Sequence, residues 1–493
     1  MKKLLIYVVT YNHEQFIENT INRINKSIFN NYETEILIND DSSTDKTLDI
    51  IKSLKQKYNT KVKFNILSNP KNLGYGGNQK IGYFYSIKHN YDYVVLLHGD
   101  GQYAPEILNQ LVDSAIKNNS MALFGSRMIS KFGALKNGMP LYKFIGNKVL
   151  TFLQNKILNS NLSEFHSGYR IYKVSALKQI PFHLNSNDYT FDTEIIIQFL
   201  FSNLKISEES IPTFYGEEIS YVNGFYYAYR IIIESIKAKL QKFGIFYEKK
   251  YDLVVNEKNY HFKKNFLSTH QMAINIIKDN SIVLDLGCNE GEITEHLAEK
   301  KKCKVIGVDN FNISENNKLG KYLVHDLNKN LPEISYEDID YVIFLDVIEH
   351  LQNPEEFLKN LYDKTSNNEK VKIIISTPNI SFIVMRFMLL FGYFNYGKRG
   401  ILDKTHTRLF TFDSFKKIIE DSNFKIISVK GIPAPFPLAL GNNFLSNILL
   451  KINNFFIYIW KSLFSYQILL EIRPNKSLDL LLKKAENKIR DKN

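Results

Sequence analysis

Cysteine is nearly absent. Cys288 and Cys303 are the only two in 493 residues, and their spacing suits no metal site. That argues against a disulfide framework and a cysteine-based zinc centre, and fits a reducing cytoplasm. Long apolar runs are also missing. None reaches the length of about 18 residues needed to span a bilayer; Ile380–Phe394 is interrupted by Arg386, and Phe444–Phe464 by Lys451 and Lys461. The opening MKKLLIYVVTYNHEQF carries an apolar run of only about seven residues with no small-residue cleavage site, so it reads as a buried strand and not as a leader. Acidic residues are outnumbered, and the net charge is +12. Such an excess suits nucleic acid, anionic membrane or phosphorylated substrates. No nucleic-acid reading module is present, so nucleic acid is not an expected partner.

The chain is too long for one core, and two or three domains are expected. Short β-branched runs alternate with amphipathic stretches from residue 3 onward. LLIYVVT (4–10), EILIND (35–40), VKFNIL (62–67), YVVLLH (93–98) and MALFGS (121–126) are the expected strands. Helices are expected near 14–29, 44–57, 76–88 and 104–118. Near-continuous apolar strands separated by helices indicate a largely parallel sheet covered on both faces. The rhythm restarts after residue 280 with SIVLDLG, KVIGVD, KYLVHD, DYVIFLD and KIIIST. The expectation is two doubly wound α/β domains, 1–240 and 262–473, with a linker at 241–261 and a basic tail at 474–493.

In the second series VLDLGCNEG ends a buried strand in Asp285 and turns into a helix through Gly287 and Gly291. A turn free of Cβ atoms lets the backbone approach a nucleotide-like ligand. Asp309 ends the next strand, where an acid can take both ribose hydroxyls. Asp326 follows the third strand, where an acid can meet an adenine amine. Asp346, Glu349 and His350 lie at the carboxyl edge of the fourth, and ligands bind at that edge in open α/β sheets. Further on, GILDKTHTRLFT holds His406 and Arg408, readable as a general base and an anion clamp or as a structural loop. His350 is a second candidate base or a core histidine.

At these residues the chain resembles class I S-adenosylmethionine-dependent methyltransferases, with a Rossmann-like fold, over about 260–473. The resemblance implies that Asp285, Gly287 and Gly291 flank the methionine moiety, Asp309 the ribose and Asp326 the adenine, with Asp346 beside them. Asn289 departs from the pattern, standing where the family usually has glycine. Asparagine tolerates the left-handed backbone better than most residues.

In the first series the opening strand runs into VVTYNHEQF, which carries Thr10, Tyr11 and Asn12, and the second delivers INDDSSTDKT with Asp40 and Asp41. Acids at a parallel strand end can hold a base and ribose. NPKNLGYGGNQKIG and LLHGDGQYAPEIL follow, and Asp100 sits where a carboxylate can hold a divalent cation against a diphosphate. With FGSR, HSGYRIY and NDYTFDTEI, the set resembles family 2 glycosyltransferases of the GT-A fold, near the dolichyl- or polyprenyl-phosphate sugar transferases, over about 1–240. That resemblance implies phosphate contacts from Arg127 and Arg170, and Asp192 or Glu194 as the acceptor's base. It also implies Mg2+ or Mn2+ at Asp100. His98 replaces the usual first aspartate of the metal loop and is the second expected ligand.

The expectation is a bifunctional enzyme: a nucleotide-diphosphate sugar as donor, a lipid-linked or glycan acceptor, and methylation of a glycan or small acceptor in bacterial surface polysaccharide synthesis. It would be cytoplasmic, with peripheral contact at the inner face of the membrane. One active half beside a binding or scaffold half is the alternative; an RNA-binding or RNA-methylating protein is the remote one. The stretch Asn443–Phe464 is expected as a helix packed on the second sheet before YQILLEIR, with a membrane-surface position as its alternative.

Overall fold

The computed structural model describes residues 1–58, 62–130, 133–136, 138–212, 223–242, 244–253, 266–311 and 320–477. It divides into two compact units, Met1–Glu257 and Lys258–Asn493. Residues 254–261 of the expected linker and 478–493 of the expected tail lie outside the described residues.

The first unit holds seven strands: β1 Lys3–Thr10, β2 Glu33–Asp40, β3 Lys63–Ser68, β4 Tyr93–His98, β5 Ala122–Ser126, β6 Arg170–Lys173 and β7 Ile206–Ser210. Their order in the sheet is β3-β2-β1-β4-β6-β5-β7. All pairs are parallel except those of β6, which runs antiparallel to β4 and β5. Burial explains the strand sequences. Leu4 to Val9 are all buried, alternating between two apolar cores on opposite faces of the sheet. The parallel strands of such a sheet therefore read as continuous apolar runs.

The second unit repeats the principle with β8 Ile282–Leu286, β9 Lys304–Asp309, β10 Lys321–Val324, β11 Tyr341–Leu345, β12 Lys372–Pro378, β13 Phe424–Ile432 and β14 Gln467–Pro474. The order is β10-β9-β8-β11-β12-β14-β13. Strands β8 to β12 are parallel, while β14 inserts antiparallel between β12 and β13. Both units are thus mixed α/β sheets, as the alternating pattern predicts.

Part of the expected linker is structured. Lys249–Tyr251 forms a short 3-10 turn, and Tyr251 and Leu253 are buried in the first unit's core. Lys250 reaches Glu194, Glu234 and Glu248 at 2.8, 2.6 and 3.2 Å. The stretch is held because a lysine with long aliphatic reach closes over buried carboxylates that would otherwise be unpaired. Among the described residues no helix is long and apolar enough to cross a membrane.

Candidate active sites

In the first unit the strand ladders place Thr10 opposite Asp40 and Val9 opposite His98, so the carboxyl ends of β2, β1 and β4 lie abreast. A Cβ on Gly99 would come within 2.8 Å of Thr10 Oγ1 and 3.0 Å of His13 Nδ1. Glycine is therefore what lets the Asp100 loop cross the end of β1. Asp100 is half-buried, and one of its carboxylate oxygens accepts the Gln102 amide at 3.0 Å. Thr10 Oγ1 and His13 Nδ1 are 3.2 Å apart. Burial pushes His13 and His98 below the ordinary histidine value, against the pull of Asp100.

Asp192 opens the helix Phe191–Phe201 and is 6% exposed. Its carboxylate accepts the Tyr75 hydroxyl at 3.0 Å and Gln79 Nε2 at 3.3 Å, and lies 3.4 Å from Arg170. The same Tyr75 hydroxyl is 3.4 Å from His98 Nε2, so Tyr75 bridges the strand β4 edge to Asp192. Tyr11 stands partly exposed at the mouth. Asn12, in the left-handed region at φ 54°, ties its loop to the next by accepting the Thr44 amide at 2.8 Å.

Several of the expected ligand residues have partners within the protein. Asp40 and Asp41 are 1% and 3% exposed. Asp40 accepts from the Ser43 amide and hydroxyl, and Asp41 from Asn69 Nδ2, Leu73 N and Gly74 N. Two left-handed turns, at Ser42 and Gly74, expose amides that need these acceptors. Arg170 is 1% exposed; it donates to the carbonyls of Ser167, Phe165 and Asp192 and lies over the Phe124 ring. Arg127 grips Glu164 through its backbone amide and its guanidinium. Burial opposes the Glu164 charge, yet Arg127 outweighs it and holds that carboxyl below its usual value. Both arginines are buried and paired with protein acceptors, as a guanidinium inside a protein must be. Glu194 is fully buried, accepting from Ser186 and Lys250. His98 is packed edge-on between Tyr75 and Tyr103. A Cβ on Gly168 would lie 2.7 Å from its Nε2. His98 Nε2 thus lies among Tyr75, Tyr103 and Gly168, close to the Asp100 loop.

In the second unit the strand order puts Asp326, Asp309, Asp285 and Asp346 along one edge, at the ends of β10, β9, β8 and β11. Gly287 has φ +76°, and a Cβ there would meet Val347 at 2.4 Å. Gly291 caps the helix Glu292–Lys301 at φ +80°. Asn289 takes φ 51°, and its amide donates to Asp309 Oδ2 at 2.7 Å. The departure from glycine is thus accommodated by a left-handed asparagine tied to the neighbouring strand. Replacing Asn289 by glycine should leave the second unit's stability within a few tenths of a kcal/mol, whereas Asn289→Val should cost about 1–2 kcal/mol in urea unfolding.

Asp285 is 3% exposed and accepts the Thr294 hydroxyl at 2.9 Å; burial, reinforced by Asp309, pushes its pKa up to about 7. Asp326 accepts the Asn328 amide at 3.0 Å in its own turn. Asp346 sits at φ 57°, its carboxylate held by Ser376 Oγ and Gln467 Nε2. A non-glycine residue in that region at a strand end marks a place where backbone strain is maintained by its surroundings. His350 and His406 meet edge-to-face at 4.8 Å. Each turns Nδ1 to a backbone carbonyl, Thr405 O at 3.2 Å and Ile401 O at 2.8 Å. Since a carbonyl only accepts, Nδ1 carries the proton and Nε2 is left as the basic atom. Burial lowers the His406 pKa, which keeps it neutral. Glu349, His350 and His406 each offer a ligand-type atom within 4.8 Å of the others. Arg408 pairs with Glu355 at 3.2 Å, on the helix Pro354–Thr365, at an exposed surface.

Sequence reasoning passes over Tyr75, Gln79, Glu164, Lys250, Ser376 and Gln467. Tyr75 and Gln79 carry a findable signal, four residues apart on one helix face. The others act across long sequence separations and leave no local trace.

The glycosyl transferase family 2 model matches residues 5–181, and a methyltransferase domain model matches 247–429. The chain is 29% identical over 228 residues to the UDP-N-acetylglucosamine--dolichyl-phosphate N-acetylglucosaminyltransferase of Methanococcus voltae, covering 44% of this chain and 88% of that protein. It is 22% identical over 219 residues to the polyprenol monophosphomannose synthase of Mycolicibacterium smegmatis, covering 44% and 79%. A shorter stretch of 96 residues is 36% identical to pavine N-methyltransferase of Thalictrum flavum subsp. glaucum, covering 17% of this chain and 26% of that enzyme. The chain therefore carries a family 2 glycosyltransferase domain at residues 5–181 and a methyltransferase domain at residues 247–429.

Proposed function

We propose that the first domain moves a sugar from a nucleoside-diphosphate donor to a lipid-linked or glycan acceptor. The second methylates a glycan or related small acceptor with S-adenosylmethionine. The setting we favour is assembly of bacterial surface polysaccharide at the inner face of the cell membrane. The observation that carries the reading is the double convergence of polar side chains at the carboxyl edges of two separate sheets, where α/β folds bind ligands.

In the first domain the partly exposed Tyr11 ring suits stacking on a nucleobase. Asp100, with one carboxylate oxygen on its own loop, fits a magnesium or manganese ion, which needs only one or two protein carboxylates beside substrate phosphates. Such an ion would neutralise the departing diphosphate. Asp192, which accepts from Tyr75 and Gln79 and is linked through Tyr75 to His98 at the end of β4, serves as the base for the acceptor hydroxyl. A lipid-linked acceptor is supported by exposed apolar residues on the packed helices Leu141–Leu158 and Gly224–Gln241, among them Tyr142, Phe152, Phe225 and Tyr229.

In the second domain the Gly287–Gly291 turn leaves room for the methionine part, Asp309 and Asp326 take ribose and adenine, and Asp346 shapes the far wall. A sulfonium leaving group needs little acid–base help, so alignment supplies most of the rate. His406 or His350 Nε2 removes the acceptor's proton.

The test is a pair of single substitutions. Asp100→Ala should abolish release of nucleoside diphosphate from a nucleotide sugar while leaving S-adenosylmethionine binding by calorimetry intact. Asp309→Ala should do the reverse. If the intact, folded chain binds no S-adenosylmethionine, the methyl-transfer reading is lost. If Asp309→Ala leaves every turnover unchanged, the second domain is a scaffold.

A further inference from the structure

The helix Phe444–Ile459 is built the wrong way round for water. Its buried positions, Ser446, Leu450, Asn453 and Ile457, follow the helical period, and two of the four are polar. Asn453 is fixed inward by accepting the Ala434 amide and donating to the Phe464 carbonyl, both at 2.9 Å. Most outward positions are apolar: Phe444, Leu445, Ile452, Phe455 and Ile459 are all exposed, and Tyr458 is 91% exposed, against three exposed polar residues, Asn447, Lys451 and Asn454. A helix bordering water shows the opposite arrangement. A capping box at Asn443 and Ser446 starts the helix firmly, so this face is a defined surface.

A second apolar run is rooted at the same sheet edge. The helix Ile383–Leu390 and the loop after it expose Phe387, Leu390, Phe391, Tyr393 and Phe394, with Phe391 at 70%. The two are stitched at their base, where Asn379 Nδ2 donates to the Ser462 and Ser465 carbonyls and Ser381 Oγ to Ser462. Both leave the sheet at one edge, since Pro378 at the end of β12 and Ile432 at the end of β13 each pair with Gln467. Gln467 in turn donates to Asp346, at the edge carrying the proposed methyl-donor crevice.

Charge identifies the partner. Residues 373–402 and 422–470 contain no aspartate or glutamate, but do contain Arg386, Lys398, Arg399, Lys430, Lys451 and Lys461. Two exposed apolar runs rooted at one sheet edge are more than the scattered apolar residues of an ordinary surface. An apolar stripe with aromatic residues and only basic flanks matches the boundary of an anionic bilayer, where the rings enter the acyl region and the cations meet lipid phosphate. We propose that the helices Ile383–Leu390 and Phe444–Ile459 dock the methyltransferase unit on an anionic lipid surface. The lipid contact stands on the exposed face alone; only its nearness to a methyl-donor crevice rests on the methyl-transfer reading.

The chain supplies its own probe. Trp460 is the single tryptophan of the sequence, ends this helix and is 53% exposed. Full-length protein is titrated with vesicles of equimolar phosphatidylglycerol and phosphatidylcholine, and with phosphatidylcholine alone. Trp460 emission should shift to shorter wavelength and become shielded from acrylamide with the anionic vesicles, and the shift should weaken with salt. Phe387→Glu with Phe455→Glu should weaken binding about tenfold or more, and Lys451→Glu alone by less, about threefold. Calorimetry with S-adenosylmethionine on each variant separates the two readings. Variants that keep cofactor binding but lose vesicle binding support the docking face. Wild type that binds cofactor yet shows no Trp460 shift with either vesicle overturns it, as does a double variant that binds vesicles like wild type. A Trp460 shift produced by self-association in sedimentation, without vesicles, would assign the face to a second copy and overturn the lipid proposal. Vesicle binding without cofactor binding would overturn methyl transfer and leave the docking face standing.

Discussion

Replacing Lys250 by methionine is expected to remove about 3–5 kcal/mol from the stability of the first unit, the range for breaking a buried ion pair from one side. Lys250 is 12% exposed in its side chain and lies within 2.8 Å of Glu194 and within 2.6 Å of Glu234. Burial alone would depress its pKa, but the two carboxylates outweigh that and raise it. Methionine keeps the packing volume and removes the charge, which leaves Glu194 and Glu234 facing each other without a cation. Such a loss is a large part of a domain's usual 5–15 kcal/mol. Urea unfolding followed by circular dichroism should show an early transition for the first unit. Adding Glu194→Gln and Glu234→Gln should restore much of the loss, because replacing all charged partners removes the buried imbalance. An unchanged midpoint for Lys250→Met would refute the assignment. The same geometry predicts that a fragment ending at residue 240 folds poorly, since it lacks Lys250 and Tyr251.

The second large effect is a dependence on pH. Asp285 has a folded-state pKa of about 7 against an ordinary 3.8, because burial disfavours its charge and Asp309 adds repulsion. The sign follows from proton counting. Between about pH 4 and about pH 7 the native state holds a proton here that the unfolded state does not. Stability from this group is fully present below the unfolded value and is lost as pH rises through the folded one. At roughly 1.4 kcal/mol per pH unit, the ligand-free second unit should lose on the order of 4 kcal/mol across that window. S-adenosylmethionine is cationic, and on the proposed reading its arrival restores the Asp285 carboxylate. Binding near pH 6 should then release close to one proton, and affinity should fall toward acid by up to about tenfold per pH unit. Calorimetry at pH 6 in two buffers of different ionisation heat measures this directly. Buffer-independent heats would refute it, and Asp285→Asn should abolish the difference.

What is legible in the sequence divides by range. VLDLG and YVVLLH declare themselves because a strand buried on both faces has no room for polar interruption. The acids at strand ends stand out because each breaks such a run. The glycine turn at Gly287 is legible for the same local reason. Strand β6 escapes notice: RIYK is four residues long, begins with a charge and runs antiparallel in a sheet otherwise read as parallel. The partners of Arg170 are equally hidden: three carbonyls and Asp192 surround its guanidinium. Glu194 is met by Lys250, 56 residues away. Arg127 likewise answers to Glu164, 37 residues on. Patterns set by neighbours along the chain can be read directly; pairings set by the fold cannot.

The placement of β14 carries one more consequence, for synthesis. Among the described residues β13 pairs in the sheet with β14 alone, and β14 pairs with both β12 and β13. While the polypeptide is still emerging from the ribosome, β12 is left as a bare edge and β13 has no ladder to join. Both remain so until residues near 474 have cleared the exit tunnel. The glycosyltransferase sheet, complete by Ser210, is free to close long before that. The nascent chain thus passes through an interval in which one enzyme is folded and the other is an open sheet with its apolar helices exposed, an interval in which chaperones or a nearby bilayer have the first opportunity to cover them.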